Sequence, residues 1–244
     1  MILKIALLFS IFSLSMYGSD FFQANYSFKN VSINYLDWSQ RTKEKTTQKE
    51  FFYLELEAGA GFDWGDIYMF TDIENPTKSY NNTSPNNLRF TFKPVVDIKL
   101  YKNLALHIQD YNLKSKDFYV SNLVTGISYN IKTDFGLTIK PFLGSHYQSS
   151  TYYSGFNGYM FGWILLYNFE LAQQKFLLSG WHECTFKRDT EDGYDDNEGR
   201  QGALALWWNF SKSFTLGTQY RYASYELGSH EYQDAIIYSV KYNF

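Results

Sequence analysis

The sequence predicts an all-β fold, a single up-and-down antiparallel transmembrane β-barrel of about twelve strands. Three observations carry that prediction. Apolar and polar residues alternate with a period of two along most of the chain, and no window beyond the N-terminus keeps a helical period over ten or so residues. The connectors between the alternating runs sort into short and longer polar ones in turn, as they do when one rim of a barrel faces the periplasm and the other the outside. The chain closes on Ile236, Tyr238, Val240, Tyr242 and Phe244, an alternating strand with a terminal aromatic.

Composition agrees and excludes other classes. Among 244 residues there are 22 Tyr and 22 Phe, only four Pro, and a net charge of −3. Near-neutrality gives no electrostatic basis for a nucleic-acid partner. A mean hydropathy of −0.37 excludes a helical membrane bundle. It is compatible with a barrel, half of whose strand residues face water.

The first residues, MILKIALLFSIFSLSMYGSD, set one Lys before an apolar run from Ile5 to Leu14 and then small residues. That is the plan of a secretory signal peptide, residues 1–18, with cleavage between about 15 and 19. Residues 19–244 then form one barrel domain. The single Cys184 leaves no internal disulfide framework.

Taken in order, Val31, Ile33 and Tyr35 alternate with Ser32, Asn34 and Leu36 in a first strand ending near Trp38. A charged connector, Gln40 to Lys49, leads to the stretch that organises the rest, FFYLELEAGAGFDWGDIYMFTD from Phe51 to Asp72. Its first run sets Phe52, Leu54, Leu56 and Ala58 against Phe51, Tyr53, Glu55 and Glu57. Its second sets Ile67, Met69, Thr71 and Ile73 against Asp66, Tyr68, Phe70 and Asp72. A hairpin turning through Gly59 to Gly65 aligns the two acidic faces.

A polar loop from Glu74 to Asn87, with five Asn, precedes a strand with Leu88, Phe90, Phe92, Pro94, Val96 and Ile98 on one side. Arg89, Thr91, Lys93, Val95 and Asp97 lie on the other. After a reversal at Tyr101 to Asn103, Leu104, Leu106 and Ile108 oppose His107, Gln109 and Tyr111. Alternation from Phe118 to Tyr129 is too irregular to assign its facing. Phe135, Leu137, Ile139, Pro141 and Leu143 then oppose Thr138, Lys140, Phe142 and His146, and a Tyr/Ser/Gly-rich loop is expected up to Asn157. In the next strand Tyr159, Phe161, Trp163, Leu165 and Tyr167 face lipid, and an apolar set of Met160, Gly162, Ile164 and Leu166 faces the lumen.

Lys175 to Phe186 forms the ninth strand, followed by the loop Arg188 to Glu198 with its six acids. Its spacing is not that of an EF-hand, and it reads as a solvated loop. Leu204, Leu206, Trp208 and Phe210 mark the tenth strand, and Phe214, Leu216, Tyr220 and Tyr222, opposite Gln219 and Arg221, the eleventh. Tyr232 to Phe244 is the last. Backbone groups left unpaired in hydrocarbon cost several kcal/mol each, so the sheet must close. Pro94 and Pro141 each remove a ladder donor, and bulges are expected there. Trp38, Trp64, Trp207 and Tyr222 are expected in interfacial girdles.

These residues resemble a known family. YLELEA at Tyr53 to Ala58 and DIYMFTD at Asp66 to Asp72 are similar to blocks of the Tsx family of nucleoside-specific channels and the related OmpK porins. Lys93-Pro94-Val95 stands where that family tends to have Glu-Pro-Arg, reversing a charge. Gly158 to Phe161 resembles its GYxF strand, and Tyr242-Asn243-Phe244 its ending. The resemblance implies a monomeric twelve-stranded outer-membrane barrel, Gram-negative in origin, that passes nucleosides by diffusion. The terminal Phe244 is similar to the signal read by the outer-membrane assembly machinery, and the other expected partners are membrane lipid and lipopolysaccharide.

The lumen set read from the alternation is Tyr53, Glu55, Glu57, Asp66, Tyr68, Phe70, Asp72, Arg89, Lys93, Gln219 and Arg221. Aromatic rings can stack on a base, and carboxylates can accept hydrogen bonds from ribose hydroxyls. Arg89 and Lys93 are expected to pair with the hairpin carboxylates on neighbouring strands. The competing reading is a structural, adhesin or phage-receptor barrel with a closed lumen, in which these charges brace the wall. An enzyme is not expected. His146 and Ser149 fall on opposite faces of one strand, and His182, Glu183 and Cys184 alternate, so neither a catalytic dyad nor a metal or cofactor site is indicated.

Overall fold

The computed structural model describes residues 22–189 and 196–244. The expected signal peptide and the middle of the acidic loop lie outside them. Twelve long antiparallel strands follow in order. They are β1 (Tyr26–Trp38), β2 (Phe51–Phe62), β3 (Gly65–Glu74), β4 (Arg89–Tyr101), β5 (Leu104–Lys114), β6 (Tyr119–Tyr129), β7 (Leu137–Ser150), β8 (Ser154–Leu171), β9 (Gln174–Phe186), β10 (Glu198–Asn209), β11 (Phe214–Ser224) and β12 (Gln233–Asn243). The two-residue piece Ile131–Lys132 continues β6 along β7. Each strand pairs with its sequence neighbours, β6 with β7 included, and β1 pairs with β12, so the sheet closes without an edge. Among the described residues one short helix, α1 (Gln40–Lys45), sits in the first connector.

The alternation translates into an inside and an outside. On β1, Asn30, Ser32, Asn34 and Leu36 are buried, while Ile33 is 58% exposed. The register carries this facing from strand to strand, through Ser32 opposite Glu55, Glu55 opposite Asp72 and Asp72 opposite Thr91. Phe52, Ile33, Leu143, Leu204, Tyr238 and Val240 form part of the exposed outer surface. β6 resisted a reading because polar and apolar residues mix on both its faces, Asn122, Val124 and Ser128 on one and Ser121, Leu123, Thr125 and Ile127 on the other. Its inward Val124 packs with Phe142 and Met160 in a dry cluster on the inner wall.

Several expectations change. The β2–β3 turn is only Asp63 and Trp64, and Gly59 and Gly61 belong to β2. They lie opposite Phe28 and Tyr26, and a Cβ on Gly59 would come within 2.5 Å of the Phe28 ring. The glycines make room for rings lying over the strand, which is a strand role for a residue that sequence alone reads as a turn. The stretch from Tyr147 to Asn157 is mostly strand, with only Thr151 to Tyr153 between β7 and β8. Its Tyr and Ser residues suit a pleated surface as well as a loop.

The prolines do not cause bulges. The register is the same on either side of Pro94 and of Pro141, and pairing shifts instead at Lys99/Tyr101 and Ser145/Tyr147. One missing N–H interrupts a ladder on one side and need not insert a residue. Trp38 and Trp207 are also not girdle residues. Trp38, 4% exposed, packs inward with Leu36, Ala235 and Ile237, and Trp207 donates to Ser179 Oγ at 2.9 Å from the inner face.

Candidate functional site: the bore

All the lumen residues named from the sequence stand on the inner face, as the register requires. Four constellations fill the bore between them. The first gathers the hairpin glutamates. Glu57 accepts hydrogen bonds from Asn30 Nδ2 at 2.9 Å, the Tyr68 hydroxyl at 2.8 Å and Lys241 Nζ at 2.8 Å. Glu55 lies 4.0 Å from the same Lys241 and accepts from Ser32 at 3.4 Å. Lys241 rests 3.9 Å over the Trp207 ring, a favourable site for a cation on an aromatic face.

Arg89 pairs with Glu74, its direct neighbour across β3 and β4, and its guanidinium lies 5.1 Å over the Phe51 ring. This corrects the expected pairing, since Arg89 meets Glu74 rather than Glu55, Glu57, Asp66 or Asp72. Near the short-turn rim, Lys140 joins Asp66 at 3.2 Å to Asp97 at 3.0 Å. Asp97 also accepts from Ser128 at 2.6 Å and shares 2.8 Å with His107 Nδ1. The His107 ring stacks on Phe142 at 4.4 Å. Ser128 bonds the carboxylate and not the imidazole, so these three groups are braced as a network and do not form a nucleophile and base.

The fourth constellation crosses the bore. Lys93 Nζ on β4 meets Glu183 Oε1 on β9, so its partner also differs from the hairpin carboxylates expected for it. Glu183 accepts in addition from Gln109 at 3.0 Å and Gln201 at 3.3 Å. Several inward atoms stay incompletely bonded, Asn30 Oδ1, Trp38 Nε1 and Arg89 Nε among them. Asp72 Oδ1 and Arg221 Nε are buried without a hydrogen-bond partner, although Arg221 is within electrostatic reach of Asp72, Tyr53 and Tyr111. Gln219 stands between Ala205 and Ile237, and Phe70 stands 6.3 Å from Tyr68.

Sequence reasoning missed Lys241, Glu74, Asp97, His107, Lys140 and Glu183 as members of this set. All but Glu74, which was read as loop and ends β3 instead, sit on the polar side of an alternating run, so their facing was available. What was not available was the partner of each, which closure brings from a distant strand. Above the bore, Arg188 donates to Glu226 at 3.0 Å and to the carbonyls of Asp196, Glu198 and Tyr225. It ties the β9–β10 and β11–β12 connectors together. Burial raises the Glu226 carboxyl above its ordinary range, against the opposing pull of Arg188. Outside, Tyr222 shares a 2.8 Å hydrogen bond with His182, and His182, on β9, faces away from the lumen that Glu183 enters.

A closed antiparallel barrel, apolar outside and lined with charge and hydrogen bonds inside, is an integral channel of the Gram-negative outer membrane. Over residues 33–244 the chain matches the model of the nucleoside-specific channel-forming protein, Tsx, and it belongs to that family. Among solved structures it is similar to the NanC porin, with 11% identity and a TM-score of 0.53, covering 87% of this chain and 98% of that one. That likeness bears on the fold alone. A weaker one is to the KdgM porin in complex with disordered oligogalacturonate, at 13% identity and a TM-score of 0.49, covering 87% and 99%. Family and fold are those of passive channels and not of enzymes.

Proposed function

We propose that the chain conducts nucleosides, or neutral solutes of similar size, down their gradient as a monomer. We further propose that residues 1–18 are removed on export and that 19–244 form the mature barrel. The observation that carries the solute class is the make-up of the hairpin wall, where Tyr53, Tyr68 and Phe70 stand beside Glu55, Glu57 and Asp72. A nucleoside has a π-face and a hydroxyl-rich sugar and no charge, so it suits rings and carboxylates set side by side.

Stacking contributes on the order of 1–3 kcal/mol per ring, and hydroxyls can donate to Asp72 Oδ1, which has no donor among the described residues. Several weak sites favour flux over capture. The family match supports the same solute class. Gln219 and Arg221 would complete the solute path from the β11 side, and Asp66, Arg89 and Lys93 would border it. Lipid and lipopolysaccharide would surround the wall.

Liposome swelling tests this directly. Nucleosides should enter faster than sugars of equal mass, and equal, negligible rates would remove the claim. The second reading, a structural barrel with a shut lumen, draws on the Lys93–Glu183 contact across the bore. It predicts the negligible rates.

A further inference from the structure

We propose that Glu183 and Lys93 form the constriction that sets ion conductance through this channel, with Gln109 and Gln201 as its neutral collar. β4 and β9 are five strands apart around the closed ring, so a contact between their inward side chains spans the lumen and does not run along its wall. Three strands converge on one carboxylate, since Glu183 takes Lys93 from β4, Gln109 from β5 and Gln201 from β10. The Lys93 ammonium also lies 5.6 Å over the Trp181 ring, and Gln109 Nε2 is 3.4 Å from Met160 Sδ. The side chains of Lys93 and Glu183 are 14% and 8% exposed. Glu183 also lines, with Asn122, His146, Gln201 and the paired Arg188 and Glu226, a cavity of only about 20 Å³, room for about one water molecule.

The chemistry of this closure is selective. The ammonium and the carboxylate neutralise each other, so the constriction presents no net charge to attract an ion. An ion that passes must separate a desolvated pair and has nothing to give back to both halves. A neutral solute rich in donors and acceptors can instead take over the hydrogen bonds of Gln109 and Gln201 as it moves. The contact thereby acts as a specificity-determining element for the proposed solute class, and to that extent it rests on the reading above.

The experiment measures single-channel conductance in planar bilayers with KCl alone, with folding verified by heat-modifiable migration. Lys93→Ala and Glu183→Ala should each raise conductance severalfold. The charge-exchanged double variant Lys93→Glu, Glu183→Lys restores the same contact in reverse and should return conductance towards the native level. Folded single variants with native conductance would overturn the proposal, as would a charge-exchanged variant as open as the single ones. If Glu183→Ala does not fold, Lys93→Ala and Lys93→Gln decide alone, since Lys93 is the more exposed partner. Added nucleoside then tests the solute class separately. Current that responds to the variants but not to nucleoside would sustain the constriction and remove the nucleoside reading.

Discussion

Lys241 shows how much one inward residue can hold. It is the cation for both Glu57 at 2.8 Å and Glu55 at 4.0 Å, and its own charge lies over Trp207. Removing it leaves two carboxylates in a narrow lumen without a counter-charge, and breaking such a pair from one side costs about 3 kcal/mol. Lys241→Met should therefore lower the midpoint of urea unfolding in detergent or vesicles. The double variant with Glu57→Gln should recover most of the loss, and a single variant as stable as the native chain would show the contact to be idle. The facing of Lys241 was legible between Val240 and Tyr242. Its partnership was not, because Lys241 and Glu57 are 184 positions apart in sequence and meet only once β12 joins β1. For the same reason Lys93 was read as a partner of the adjacent hairpin. Trp38 and Trp207 were misread differently: an amphipathic ring suits an interface, but indole fits a packed inner wall equally well.

Elements obey the same division between what is local and what is not. Twelve strands could be counted because each needs only its own period of two, whereas the β2–β3 turn was drawn too long because Gly59 and Gly61 answer to rings on β1. Gly59→Val should drive Phe28 off β2, at about 1–3 kcal/mol for overpacking. The check is unfolding stability compared with Ala58→Val, an outward change on the same strand that should cost much less. Equal costs would mean that the ring contact is unimportant. The connector Gln40 to Lys49 gave no signal for α1, whose six residues are too few to show a period. Its order comes from a cap and a dock. Ser39 Oγ accepts from Thr42 N at 3.2 Å and donates to Asp234 Oδ1 at 2.7 Å, while Asp234 N donates to Thr42 Oγ1 at 3.0 Å. Ser39→Ala should cost about 1 kcal/mol, as lost N-caps do. The loss should appear as faster amide exchange confined to residues 39–50, with the strands unchanged; exchange that rises throughout the barrel would contradict a local role.

At the scale of the molecule, the seam between β1 and β12 makes the barrel, and it ends at Phe244. The amide of Phe244 donates to Lys29 O at 3.1 Å, and Lys29 Nζ lies 5.7 Å from the Phe244 ring. The ring itself is 69% exposed on the outside. One net hydrogen bond contributes about 1 kcal/mol, and an exposed cation–π contact contributes about 0.5–1 kcal/mol. Such contacts are minor beside the nine paired positions of β1 and β12. A Phe at this position is therefore more than closure of the seam requires. We propose that its use is in assembly, with the alternating β12 and its terminal ring engaging the outer-membrane insertion machinery before the seam forms. Deletion of Phe244 separates the two roles. Purified protein refolded in detergent should lose no more than about 3 kcal/mol, the sum of the contacts just named and the edge-on packing of the ring on Tyr242 at 5.2 Å. In cells the amount of folded barrel in the outer membrane should fall steeply, with unfolded chain accumulating in the periplasm. A variant that inserts normally in cells would return Phe244 to a seam residue only, and a large loss of refolded stability would mean that closure depends on this ring far more than its contacts account for.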